Sequence, residues 1–480
     1  MDLQTRPLNG NTPSKAKQRY VGIDLVKIVA CFLVVCVHFF LYSGFYGQVD
    51  INNDFGQAPI VFRWVAYCCV PLFMITTGYL MKNKTMSKKY YLGIIRVLVI
   101  YLICTVICYA FDHHHYPLKY QNYGGYSVWI FLRGLLMFSG AQYGWYVEYY
   151  LCIFMIIPFI NLAFNSLKNQ KQKQIMLITT IMLTIVSQSF YVGFDFDPTY
   201  NPQIKMFPGY FTRCYPIAYY LIGAYIREFP PKRTLINKLY FMGMYALGLA
   251  WISITTFQHT VQSKPNEQGF HIFYSRHYND YGSWPVALCS TMLFLILFDI
   301  RSKNPILIQI IKFISEATFA CYLISYIFDT MFYSPDSTFG KKYHTVPERW
   351  SHAYTVIPKI FLASMGIALL IQAVYTLGDW VVRKVIIPAA RKADYDPLIA
   401  GSADSEQVPY PDAAVSPSPA SYQNNAPEQT AQRYSPKHVQ PDTIERDADN
   451  QFKELYLSGA LTKEEYEQLS KDMTAGDDPE

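Results

Sequence analysis

YVGIDLVKIVACFLVVCVHFFLYSG, residues 20–44, decides how the whole chain is read. It is apolar for long enough to cross a bilayer, since a spanning helix needs roughly 20 such residues, yet it carries Asp24, Lys27 and His38. Ionisable groups inside a span are costly and mark functional sites by default. Lys27 and His38 stand eleven positions apart. That is close to three helical turns, so the two side chains share one face, about 16 Å apart along the axis. One reading is a cation and an imidazole placed along a buried conduit. The other is Lys27 and Asp24 reaching the membrane interface, with His38 satisfied inside a helix bundle.

The rest of the chain repeats the apolar regime of this stretch as far as about residue 390, then turns polar and proline-rich after residue 394. This predicts an all-α polytopic membrane protein with a soluble tail. The sequence places about ten transmembrane helices, at 20–43, 58–81, 90–111, 145–165, 174–194, 209–227, 236–257, 284–300, 312–334 and 353–382. The stretch 126–140 is short and holds Arg133, which suits an amphipathic or re-entrant piece on the outer side. Lys and Arg concentrate in alternate loops, among them Lys82, Lys84, Lys88 and Lys89, then Lys232, Arg233 and Lys238, then Arg383 and Lys384. Cationic loops stay inside, so both termini are expected in the cytoplasm. The first apolar run is of full length and reads as a retained helix instead of a cleaved signal. The net charge of +6 resides in these membrane-flanking loops and gives no reason to expect nucleic acid as a partner.

Residues 1–19 form a short cytoplasmic segment before the transmembrane domain at 20–385. Residues 394–447 cannot bury a core and read as a disordered linker. Order is expected again at 450–475, where FKELYLSGALTKEEYEQLSKDM suggests two short helices, the second opening with Thr462 and Glu465 as in a capping box. The ten cysteines all fall in apolar runs and read as small core residues. His113, His114 and His115 are consecutive and cannot all face one ion from regular structure, so no metal site is expected.

The run IDLVKIVACFLVVCVH resembles the first helix of the acyltransferase 3 family of membrane acyltransferases, whose hallmark is Arg or Lys, ten residues, then His. VPLFMITTGYLM (70–81) is similar to the family's next motif, with Thr77 in place of the usual Ser and Gly78, Tyr79 and Leu80 matching. In IIRVLVIY (94–101) only Arg96 of a frequent Arg pair is present; Gly93 stands at the other Arg position and Val99 at the following Pro. GWYVEYYLCIFMIIPFIN (144–161), FPGYFTRCYPIAYYLIGAYIRE (207–228) and FISEATFACYLISYIFD (313–329) resemble later family helices. Residues 452–473 resemble the small C-terminal helical hairpin called SHOCT, which implies self-association or a protein partner.

The family resemblance implies transfer of an acyl group, usually acetyl, from cytoplasmic acyl-CoA to a hydroxyl of an envelope polysaccharide or lipid-linked sugar. Acyl-CoA would then be a co-substrate, with no tightly bound cofactor. The expected location is the bacterial cytoplasmic membrane. Lys27 and Arg96 are the candidates for the donor's phosphates. His38 is the catalytic candidate, either as general base on the acceptor hydroxyl or as a transient acyl-imidazole. Glu148 is a second catalytic candidate, since a carboxylate within a span can orient an imidazole or accept a proton, although an ion pair would also account for it. Trp145, Arg213 and Arg276 are candidates for the acceptor. Two other readings stay open from the residues alone: a transporter or flippase of a lipid-linked sugar, and a membrane sensor signalling through the hairpin.

Overall fold

Two hydrogen bonds fix the frame of the bundle. Ser315 Oγ donates to Asp24 Oδ1 at 2.7 Å, and His38 Nδ1 meets Asp329 Oδ2 at 2.7 Å. Both pairs are 291 residues apart in sequence, so their two helices run parallel and in register. The structure is a computed structural model and describes residues 21–51, 57–121, 125–186, 209–266, 269–275, 281–333, 337–382 and 384. The expected N-terminal segment, the linker at 394–447 and the hairpin at 450–475 lie outside the described residues. All described residues belong to one unit; a second begins at Ile386.

In chain order the helices are α1 (Val21–Tyr42), α2 (Ala58–Ala66), α3 (Cys69–Met81), α4 (Lys88–Tyr91), α5 (Ile95–His115), α6 (Val128–Leu136), α7 (Trp145–Ser166), α8 (Gln170–Ile181), α9 (Gly209–Thr212), α10 (Tyr215–Glu228), α11 (Leu235–Gln262), α12 (Trp284–Leu297), α13 (Pro305–Tyr333), α14 (Thr338–Lys342), α15 (Val346–Ser351) and α16 (Ala353–Val381). A π turn, Met182–Val186, continues α8. The described residues form no strand, and an isolated bridge joins Val49 to His271. The all-α membrane architecture read from the sequence is the architecture observed.

Among the described residues, seven helical spans are long and apolar enough to cross a membrane: α1, α2 with α3, α4 with α5, α7, α11, α13 and α16. Counted alone, these place α13 sixth and therefore antiparallel to α1. The parallel pairing of α1 with α13 requires an odd number of further crossings between them. The shorter helices α8, α10 and α12 stand where the sequence placed spans five, six and eight.

Three boundaries differ from the sequence reading for identifiable reasons. The span expected at 58–81 is broken at Tyr67 and Cys68. Pro71 has no N–H to give the Tyr67 carbonyl and its ring crowds that carbonyl, which ends α2 early. Helix α13 begins seven residues before the expected 312 because Asn304 caps it, accepting from the backbone N–H of Ile306 at 3.0 Å and of Leu307 at 3.3 Å. The re-entrant candidate 126–140 is the short helix α6, capped by Ser127, which accepts from Ile130 N at 3.3 Å.

The α3–α10 crossing brings two backbones into close approach. A Cβ at Gly78 would lie 1.9 Å from the Tyr220 carbonyl oxygen, and one at Gly223 would lie 2.0 Å from that of Ile75. Small residues allow such close backbone approach, which is how helices associate where no water drives them together. At the ends of these two helices Glu228 binds Lys82 Nζ at 2.8 Å and Lys173 Nζ at 2.5 Å. Asn161 on α7 closes the knot, donating to the carbonyls of Met81 at 2.8 Å and Lys84 at 2.7 Å and accepting from the Tyr220 hydroxyl at 2.6 Å. Gly78→Ala is expected to lower stability by about 1–3 kcal/mol through overpacking, whereas Gly93→Ala, at a glycine with open space around it, should not. Thermal unfolding of detergent-solubilised protein checks this; equal midpoints for the two variants would contradict the crossing.

Candidate active site

A cavity of about 350 Å³ runs between α1, α3, α5, α7 and α13. The parallel run of α1 and α13 sorts its lining into two ends. Lys27, three turns before His38 on α1, shares one end with Ser315 and Glu316, which sit ten or more residues before Asp329 on α13. Arg96, in the first turn of α5, lines the same cavity. His38 belongs to the other end, with Trp145 and Tyr146 from the first turn of α7 and with Tyr281.

His38 is 8% exposed and Asp329 is fully buried. With the carboxylate accepting, His38 donates from Nδ1, which leaves Nε2 as the nitrogen with a free lone pair. The Tyr143 hydroxyl donates to the same Asp329 oxygen at 2.8 Å, and the Tyr42 hydroxyl lies 3.3 Å from the Tyr143 hydroxyl. The Tyr143 ring also lies over the imidazole, with centroids 3.8 Å apart and planes 27° apart. Tyr143 is itself fixed, because its backbone carbonyl accepts from the Tyr322 hydroxyl. The imidazole is thus held edge-on by a carboxylate and face-on by a phenol, so little reorganisation is needed to use Nε2 as a base or a nucleophile.

At the opposite end the cations are anchored but reachable. Lys27 Nζ lies 3.8 Å from Asp24 Oδ1, and the Lys27 side chain is 25% exposed. Arg96 Nη2 donates to Gln372 Oε1 at 3.3 Å, and its guanidinium carbon lies 5.5 Å from the Tyr375 ring centre. Two cations toward one end of the cavity and an imidazole toward the other suit a ligand that is anionic at one end and reacts at the other.

Four of the residues singled out from the sequence therefore meet in one cavity: Lys27, His38, Arg96 and Trp145. Glu148 does not join them. It lies one turn after Trp145 on the exposed face of α7, outside the cavity lining. Arg213 is exposed just before α10, where its backbone carbonyl accepts from the Tyr149 hydroxyl at 2.8 Å. Arg276 lies outside the described residues. Asp329 and Tyr143 were missed as site residues. For Asp329 the signal was present: it is an acid closing the apolar run FISEATFACYLISYIFD, and an intramembrane acid is a functional candidate by default. Tyr143 had no such signal, being one of many aromatic residues at the ends of spans.

The fold and this site define an integral membrane protein with a buried His–Asp pair opening onto a cavity that carries cations at its far end. Residues 20–373 match the acyltransferase 3 family model, described as acyltransferase domain, and the chain belongs to the acyltransferase 3 family. It is therefore a membrane acyltransferase, and the transporter and sensor readings give way to acyl transfer. No curated protein matches the chain, and no solved structure matches it.

Proposed function

We propose that the protein takes an acyl group, acetyl in the simplest case, from cytoplasmic acyl-CoA and transfers it to a hydroxyl of a cell-envelope polysaccharide or its lipid-linked precursor. The observation that carries this reading is the single cavity with Lys27 and Arg96 toward one end and the His38–Asp329 pair at the other. The cationic end suits the phosphates of the donor. An extended pantetheine arm matches the offset of about three helical turns between Lys27 and His38.

In this reading His38 Nε2 takes the proton of the acceptor hydroxyl as its oxygen attacks the thioester carbonyl. The carbon–sulfur bond breaks, and the proton passes to the departing CoA thiolate. Asp329 stabilises the imidazolium as it forms. The orientation follows from charge. The Lys27 end of α1 lies on the side of Lys82, Lys84, Lys88 and Lys89, since α1 begins where α3 ends. Cationic loops favour the cytoplasm, which puts the donor end inside, the acceptor end outside and both chain termini in the cytoplasm of a bacterial plasma-membrane protein.

The test is transfer of label from radioactive acetyl-CoA to envelope glycan by the protein reconstituted in nanodiscs. No transfer to any glycan fraction would refute the reading. Lys27→Ala is expected to raise the KM for acetyl-CoA by about tenfold, the loss of one charge-assisted contact worth about 1.4 kcal/mol, with a smaller change in kcat. An unchanged donor KM removes Lys27 from donor binding.

A further inference from the structure

We propose that Tyr281 and Trp145 form the platform on which a sugar ring of the acceptor stacks, and that the buried Arg63 holds this platform in place through Tyr67. The proposal rests on the acyl-transfer reading above and names the acceptor site within it.

The four side chains are linked in series. The Arg63 side chain is 1% exposed, and its guanidinium carbon lies 4.0 Å from the Trp64 ring centre and 3.9 Å from that of Tyr67. Tyr67 stacks on Tyr281 with centroids 4.2 Å apart and planes 15° apart. Tyr281 is nearly parallel to Trp145, at 6.3 Å and 18°. Tyr281 and Trp145 both line the cavity that holds His38.

Each part has a physical cause. Pro71 ends α2 at Tyr67, which places that ring at the break and not on a continuous helix face. Burying a guanidinium is expensive, and faces of aromatic rings recover part of the cost by cation–π attraction. The cation side of Tyr67 is thereby fixed, and its other side carries Tyr281. The Tyr219 hydroxyl donates to the Tyr281 backbone carbonyl at 2.5 Å, so ring and backbone are both held.

A rigid aromatic wall binds at low entropic cost. Its ligand should present a flat face of C–H bonds, whose slightly positive hydrogens suit the negative face of a ring. A pyranose has such a face and carries hydroxyls on its rim, one of which must reach His38. An adenine would also stack, but the donor's phosphates belong with Lys27 and Arg96 toward the opposite end of the cavity. The aromatic wall lies at the His38 end.

The experiment uses the full chain in nanodiscs, with acetyl-CoA and, as acceptor probe, oligosaccharides released from the cell's own envelope glycan. Trp145→Ala and Tyr281→Leu are expected to raise the KM for oligosaccharide about tenfold while the KM for acetyl-CoA stays within about twofold. Tyr281→Phe recovers most of the loss, because the ring and not the hydroxyl does the stacking. Tyr67→Leu reproduces the Tyr281→Leu defect and Tyr67→Phe relieves it, which a purely structural role would not produce selectively in acceptor KM. A rise in donor KM in place of acceptor KM assigns the wall to the donor and overturns the proposal. So does an unchanged acceptor KM in Trp145→Ala and Tyr281→Leu. Saturation-transfer NMR with the oligosaccharide and no donor separates the two readings. Sugar binding that Tyr281→Leu abolishes supports the platform even if acetyl-CoA proves not to be the donor, and absence of binding by the wild type sinks it even if transfer is observed.

Discussion

His38→Ala is expected to reduce acyl transfer by about 10²–10⁴-fold, the range associated with a positioned general base, while leaving the protein in the membrane at its normal level. The imidazole lies toward one end of the cavity and its geometry is set from two sides, by Asp329 at its edge and by Tyr143 on its face. Removing it leaves Lys27 and Arg96 toward the far end of the cavity untouched, so on the proposed reading acetyl-CoA should still bind with its wild-type affinity. Measuring glycan acetylation in cells together with donor binding by purified protein separates lost chemistry from lost binding. Retained acetylation at equal protein level would falsify the role given to His38. Accumulation of acetylated His38 when the acceptor is withheld would replace the base with a covalent carrier without moving the residue from the centre of the reaction.

Asp329→Asn should cost nearly as much, about 10²–10⁴-fold in kcat, because an amide can hold the wrong imidazole tautomer and cannot stabilise imidazolium. Asp329 contacts His38 and does not line the cavity, so its expected signature is a split. The kcat falls while the KM for acetyl-CoA stays within about twofold. The substitution is nearly isosteric and removes a buried charge, so it should not lower the unfolding midpoint. A parallel loss of stability, or a shift in donor KM, would mean that the carboxylate serves packing and not the imidazole. The two substitutions should not add. Once His38 is gone, Asp329 has nothing to orient, and the double variant should be no slower than His38→Ala alone.

Much of this was legible in the sequence, and the reasons differ by residue. Long apolar runs have few alternatives to helix, so the bundle and most of its spans followed from composition. Lys27 and His38 were legible because helical periodicity is local: eleven positions put them on one face whatever surrounds them. Asp329 was hidden in its role, though not in its type. Its meaning comes from His38, 291 residues away, and no local spacing announces such a pairing. Glu148 shows the converse. Its place in an apolar run marked it out, but the facing of α7 turns it away from the cavity, and the rotation of a helix about its own axis is a property of its neighbours. The break at Tyr67 was readable in principle from Pro71, yet a proline near the start of a span is easily absorbed into a longer helix.

The in-register pairing of α1 with α13 has a consequence for biogenesis. Chain elongation delivers the imidazole to the bilayer first and its carboxylate only after almost three hundred further residues have been synthesised. Until that late segment inserts, the histidine lacks its carboxylate and the chamber its α13 wall, so a stalled or truncated nascent chain holds an incomplete site. Assembly of the His38–Asp329 pair is in this way tied to completed membrane insertion.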